Sequence, residues 1–233
     1  MAKRFWTDTT TDADDDGHFV RLDGRELKTP GKRPIRVPSA AIATLIRDEW
    51  DAVPLAVIGD IDPQVMPVTR LANVASEGAE ERRDDLVAEV RSYSGTDLLC
   101  YRAPEPEALT QRQDVLWGPW LDWASNRGFR LDTTTSLLPI AQPEASLDAV
   151  AALARGYGTF ALTLLTHLTA VYGSAILALA VMDRALDPGE AFDISRVDEL
   201  HREAVWGVDE DARDVRDALR AETVILGGLA KHL

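Results

Sequence analysis

Residues 159–182 read Thr-Phe-Ala-Leu-Thr-Leu-Leu-Thr-His-Leu-Thr-Ala-Val-Tyr-Gly-Ser-Ala-Ile-Leu-Ala-Leu-Ala-Val-Met. By length alone this run could cross a bilayer. His167 is its only residue that could carry charge near neutral pH, but the run also holds four Thr, Tyr172 and Gly173-Ser174 near its middle. Glycine favours the left-handed stop that ends a helix, and serine is a strong N-cap. The pair therefore predicts two buried helices meeting at Gly173, the second over Ala175–Ala185, and no membrane insertion.

The reading extends outward from this pair. Toward the C-terminus, Pro188-Gly189 opens a predicted helix carrying Ile194, Val197, Leu200 and Ala204. A last helix is predicted from about Asp209, with Ala212, Val215 and Leu219 inward. Upstream, Leu147, Val150, Ala151 and Ala154 mark one helix, and Leu116, Trp117, Trp120, Leu121 and Ala124 mark another that Gly128 ends. Leu131–Ile140 reads as an extended connector between them.

The first part of the chain is mixed. His18–Leu22 and Arg25–Thr29 flank Asp23-Gly24, whose preference for positive φ predicts a type I′ hairpin. Ile35–Val37 reads as a short third strand. Ser39 caps a helix with Ile42, Leu45, Ile46, Trp50 and Val53 along one face, stopped by Pro54. A further helix is predicted from Thr69 with Leu71, Val74 and Ala75 inward. The polar stretch Glu77–Asp85 follows, and Leu86, Val87 and Val90 resume the apolar face before Gly95. Residues 1–17 are Thr- and Asp-rich and read as an extended or loose acidic arm. The fold class is α+β: an N-terminal part over 18–92 with a small antiparallel sheet and helices, then a helical bundle over 93–233.

The chain has 233 residues and a formal net charge of −14. Such a surface repels phosphate backbones and anionic lipid, which argues against nucleic acid and membranes and for a basic surface on another protein. Cys100 is the single cysteine, so an intrachain disulfide framework is excluded and a reducing compartment is expected. No apolar stretch of the signal-peptide kind follows Lys3-Arg4, and the bacterial cytoplasm, or an already processed chain, is the simplest reading.

Catalytic templates are sparse. Asp12-x-Asp14-x-Asp16-Gly17, with Asp23 at the twelfth position, matches the opening of a calcium loop. The flanking sequence is not helical on either side, Asp23 is explained by the hairpin, and no metal is expected. His18, His167, His201 and His232 form no zinc pattern. His167 reads as a buried, hydrogen-bonded residue in an apolar helix. There is no Gly-x-Ser-x-Gly, and Cys100 sits in an apolar setting that favours an inert thiol. Gly227-Gly228 is no phosphate-binding loop, so nucleotide binding and other cofactors have no visible site. An enzyme using the carboxylates Glu199, Glu203, Asp209 and Glu210 is the alternative function. Trp206, before Gly207, either staples a helix junction or faces a partner.

Several strings occur in a fixed order: Met66-Pro67-Val68-Thr69-Arg70-Leu71-Ala72; Tyr93-Ser94-Gly95-Thr96-Asp97-Leu98-Leu99-Cys100-Tyr101-Arg102-Ala103; Gln113 with Trp117, Pro119, Leu121 and Trp123; Gly173-Ser174; and Asp198-Glu199-Leu200 with Trp206-Gly207. Together they resemble the ATP-twelve family, the assembly chaperones that handle the α subunit of the F-type ATP synthase. The resemblance spans about residues 18 to 225. It implies an α+β part followed by a helical bundle, no enzymatic activity, and binding of the unassembled α subunit until β replaces it. It also implies a mitochondrial matrix location in eukaryotic relatives. An acidic residue of the Trp-Gly-x-x-Glu segment is important in the family and falls on Glu210. The expected contact set is Glu210, Trp206, Asp209, Glu203 and Glu199. Arg213-Asp214 stands where eukaryotic relatives often carry His-Asp.

Overall fold

The computed structural model describes residues 4–54, 62–136 and 138–233. Among them, β1 is Thr9–Asp14, β2 Gly17–Leu22 and β3 Arg25–Glu26. The helices are α1 Ala40–Asp51, α2 Pro67–Ser76, α3 Arg83–Gly95, α4 Glu107–Ser125, α5 Glu144–Gly156, α6 Thr159–Tyr172, α7 Ala175–Met182, α8 Pro188–Ser195, α9 Val197–Trp206 and α10 Glu210–Gly227. The α+β class holds, with the small antiparallel sheet first and the helices after it.

The hairpin forms at Asp23-Gly24, where φ is 47° and 76°, the type I′ signature. Its second arm is only Arg25–Glu26. The third strand of the sheet differs from the expectation. It is β1, inside the supposed loose arm, paired antiparallel with β2 from Thr9↔Leu22 to Asp14↔Gly17. Ile35–Val37 contributes only a bridge, in which His18 and Val37 exchange backbone bonds of 3.0 and 2.9 Å. The Thr-Asp pattern of β1 has no apolar alternation to announce a strand. Its order comes from backbone pairing, from Asp23 Oδ1 accepting the Thr7 and Asp8 N–H groups at 3.0 and 2.9 Å, and from buried Trp6 packed 5.0 Å from Trp50. Residues 1–3 of that arm lie outside the described residues.

Two carboxylates of the calcium-loop pattern have other partners. Asp12 accepts from Arg21 at 2.9 Å, and Asp14 accepts from Arg36 at 2.6 Å. These bonds to guanidinium and backbone hold both carboxyls below their usual range.

Helix α1 is capped by Ser39, whose Oγ accepts from the Ile42 N–H at 3.4 Å, and it buries Ile42, Ala43 and Ile46. Helix α2 begins at Pro67, two residues before the expected start, because proline suits the first helical position. Its free N–H groups are capped from a different helix. Glu49 of α1 accepts from Val68 and Thr69, each at 2.8 Å, and from the Thr69 hydroxyl at 2.6 Å. Burial raises the Glu49 pKa, while the Thr69 and Val68 bonds pull it back. Leu71 is buried, but Val74 points outward, against expectation.

The predicted pair of buried helices is present. Gly173 ends α6 at φ 65°, and Ser174 Oγ accepts from Leu177 N at 3.1 Å to start α7. Every residue of α7 is buried, and the helix stops at Met182 rather than Ala185. Thr163 and Thr166 fit an apolar helix because their hydroxyls donate to carbonyls four residues back, at 2.8 and 3.0 Å. His167 is only partly covered and its Nε2 has no partner, so the expected hydrogen bond is missing there. Among the described residues no helix is long and apolar enough to cross a membrane.

Asp97 ties the Thr96–Cys100 string to this helix pair. It is fully buried, and its carboxylate accepts from Leu99 N at 3.1 Å and from Ile176 N at 3.2 Å. Burial pushes its pKa up to about 6, with the Ser174 hydroxyl and backbone N–H groups pulling the other way. Leu98 N donates to Gly173 O at 3.0 Å. The motif strings therefore carry buried caps and junctions.

The boundary expected between 92 and 93 falls inside α3, which packs on α5 and α6. The single helix expected after Pro188 is two, α8 and α9, broken at Arg196. Leu131–Ile140 is largely irregular, with Thr134 bridging to Tyr101; residue 137 of it lies outside the described residues.

Candidate partner-binding surface

Helices α9 and α10 meet at a corner, Val205-Trp206-Gly207-Val208-Asp209-Glu210. Gly207 takes φ 94°, a conformation that glycine adopts without strain, and the chain reverses there. Asp209 is the N-cap of α10: its Oδ1 accepts from Asp211 N at 3.0 Å and Ala212 N at 3.3 Å. Glu210 occupies the first helical position, exposed. Carboxylates are favoured here by the helix dipole.

The corner is held by an arginine that the sequence reading passed over. Arg216 of α10 donates to Glu199 at 3.1 Å and to Glu203, one turn further along α9. Arg196 adds a contact to Glu199 at 3.7 Å. At the other end, α9 is fixed to α4. Asp198 accepts from Gln113 Nε2 at 2.6 Å, Gln113 Oε1 accepts from Ala103 N at 2.7 Å, and Trp117 Nε1 of α4 also holds the end of the preceding α8, donating to Ile194 O at 2.9 Å.

Trp206 is 78% exposed, so of the two readings it faces outward rather than stapling the junction. Its chain neighbours Val205 and Val208 are exposed too, as is Val215 of α10. Ala212 and Val215 were expected to face inward; the first half of α10 instead stands free of the core, because among the described residues no other element covers that side. The string Val-Trp-Gly-Val, three apolar residues around a glycine, was the signal for this patch. An apolar knob rimmed by carboxylates is suited to binding another protein.

The five expected contact residues thus lie together but do different work. Glu199 and Glu203 converge on Arg216. Asp209 caps. Trp206 and Glu210 face solvent. This arrangement is not a pair of opposed carboxylates around a cleft. The carboxylates whose pKa burial raises, Glu49 and Asp97, cap helices elsewhere. Cys100 is buried, which pushes its thiol pKa up and makes the thiolate scarce. Among the described residues no three His, Cys, Asp or Glu side chains are grouped to hold a metal ion.

Comparison with known proteins agrees with the motif strings. The family model described as ATP12 chaperone protein matches residues 3–125. The chain is 23% identical over 225 residues to the mitochondrial protein atp12 of Schizosaccharomyces pombe, covering 91% of this chain and 76% of that protein. The crystal structure of Atp12 from Paracoccus denitrificans superimposes with a TM-score of 0.90 at 37% identity, over 99% of this chain and 97% of that one. An aspartate-to-lysine mutant of the same Paracoccus protein superimposes equally well, with a TM-score of 0.90 at 37% identity, over 99% of this chain and 97% of that one. The chain belongs to the ATP12 chaperone protein family, a family of ATP synthase assembly chaperones.

Proposed function

We propose that this chain binds the unassembled α subunit of the F-type ATP synthase, keeps it from aggregating, and releases it when β takes its place. The observation that carries the reading is the exposed Val205-Trp206-Val208 patch beside Glu210, set on a corner braced by Arg216. A free subunit exposes apolar surface meant for its neighbour, and such surface aggregates. A binder that works without nucleotide must yield to a better competitor. Charge-rimmed contacts allow fast, salt-sensitive association of modest affinity. In this reading Trp206 and Glu210 touch the partner, while Asp209, Glu199 and Glu203 hold them in place. The protein does no chemistry, uses no cofactor, and works in the bacterial cytoplasm.

Size-exclusion chromatography tests the partner. Co-elution with isolated α and not with assembled F₁ is expected; the reverse pattern would overturn the reading. Calorimetry should show no ATP binding to the purified protein alone, and micromolar affinity would count against it.

A further inference from the structure

We propose that the groove between α2, α3, α6 and α10 is a second docking site for the same unassembled subunit, taking the apolar face of a basic amphipathic helix; this rests on the function proposed above. The groove encloses about 400 Å³. Its walls are Leu71 and Val74 of α2, Leu86 of α3, Ala170 of α6 and Leu226 of α10. Of these, Val74 and Ala170 are exposed, Val74 to 61%. These are apolar side chains that the chain's own fold leaves uncovered.

The shape and the charge select the occupant. All four walls are helices and none offers a free strand edge, so an incoming helix fits by ridge-into-groove packing, with apolar anchors at helical spacing. The lip carries Glu89, Glu222, Arg70 and His167. Arg70 and Glu222 pair at 2.5 Å, and among the described residues Glu89 forms no ion pair. The residual charge is negative, on a chain of net charge −14. A basic flank is attracted to this lip. A second copy of the chain, equally acidic, is repelled, and so is a fatty acid.

The groove and the corner share helix α10. On α10, Val215, Ala218, Glu222 and Ile225 recur at helical spacing; Glu222 is half-buried at the groove lip and the other three are exposed, so one stripe of the helix runs from its first turns to the groove. A partner seated on Trp206 can extend along that stripe.

The test uses the full chain and a fluorescein-labelled synthetic helix with a leucine face and a lysine face. Fluorescence anisotropy should show binding that Ala170→Trp, which fills the groove from an exposed position, weakens at least tenfold. Val74→Asn should weaken it comparably and keeps the test valid should the tryptophan disturb folding. Replacing the peptide's leucines by serine, or its lysines by glutamate, should abolish binding. Equal affinity for wild type and both groove variants would overturn the proposal by showing that only surface charge attracts the peptide. Dimers of the chain that Ala170→Trp dissociates would overturn it in favour of a second copy. With isolated α, the groove variants should suppress aggregation less well than wild type. If they protect α fully while Trp206→Ala does not, the groove proposal fails and the corner reading stands. If wild type itself does not protect α, it is the corner reading that fails.

Discussion

At the scale of single residues, Asp97 and Glu210 make opposite predictions. Asp97 is buried with its pKa raised to about 6. A raised carboxylate works against stability as pH increases. Between about pH 4 and 6 the unfolded chain has lost this proton and the folded chain still holds it, so Asp97 lowers the unfolding free energy across that window and changes little above it. Asp97→Asn keeps one acceptor but turns an amide N–H₂ toward a backbone N–H donor, and should destabilise the protein by about 1–3 kcal/mol. Its deficit relative to wild type should be largest near pH 4 and shrink toward pH 7. Denaturant unfolding at a series of pH values checks this, and a deficit that grows with pH would contradict it. Glu210, exposed at the first position of α10, has no such structural duty. Glu210→Lys should lower stability by no more than about 1 kcal/mol through the helix dipole, while suppression of α-subunit aggregation falls much further. Melting temperature and aggregation measured on the same preparation separate the two; unfolding of the variant would make the residue structural.

At the scale of elements, the α6–α7 junction and the α9–α10 corner are built differently. Gly173 holds φ 65°, where a Cβ is strained although the space around it is open, the nearest atom being Leu98 Cβ at 4.0 Å. Gly173→Ala should therefore cost about 1 kcal/mol or more, a drop of a few degrees in melting temperature for a chain of this size. The corner has no buried junction. Its residues from Ala204 to Ala212 are exposed, and Arg216 with Glu199 and Glu203 is what braces it. Amide exchange should be faster over 204–214 than over α6 and α7 by several orders of magnitude. Arg216→Ala should speed it further without altering exchange in α7. Uniform protection across both regions would show that the corner is not a local opening unit.

At the scale of the whole molecule, one buried cluster runs from Trp6 and β2 through α1, α3 and α6 to Leu226 and Leu229. The compositional change near residue 92 lies in the middle of a helix that contributes to it. We propose that this change is one of composition and not of folding. Calorimetric and van't Hoff enthalpies should agree in a single transition. Two transitions, or a fragment over 93–233 that folds alone, would restore the two-unit division.

What the sequence determined is the set of features closed by near neighbours. The Asp23-Gly24 turn, the Ser39 cap and the Gly173-Ser174 stop depend on residues at most three positions apart, and each was legible. The order of the motif strings identified the family before any coordinates. What only the tertiary structure decided is whatever depends on a distant partner. β1 is a strand because β2 lies beside it, although its own pattern is polar on both faces. Glu49 caps α2 from 19 residues away, and Arg216 reaches back across the corner to Glu199. Periodicity placed Val74 and Val215 on apolar stripes and so predicted burial. A stripe shows which residues share a face, but burial also needs another element to cover that face. At the corner and the groove nothing in the described chain does so, which leaves both surfaces free for a partner.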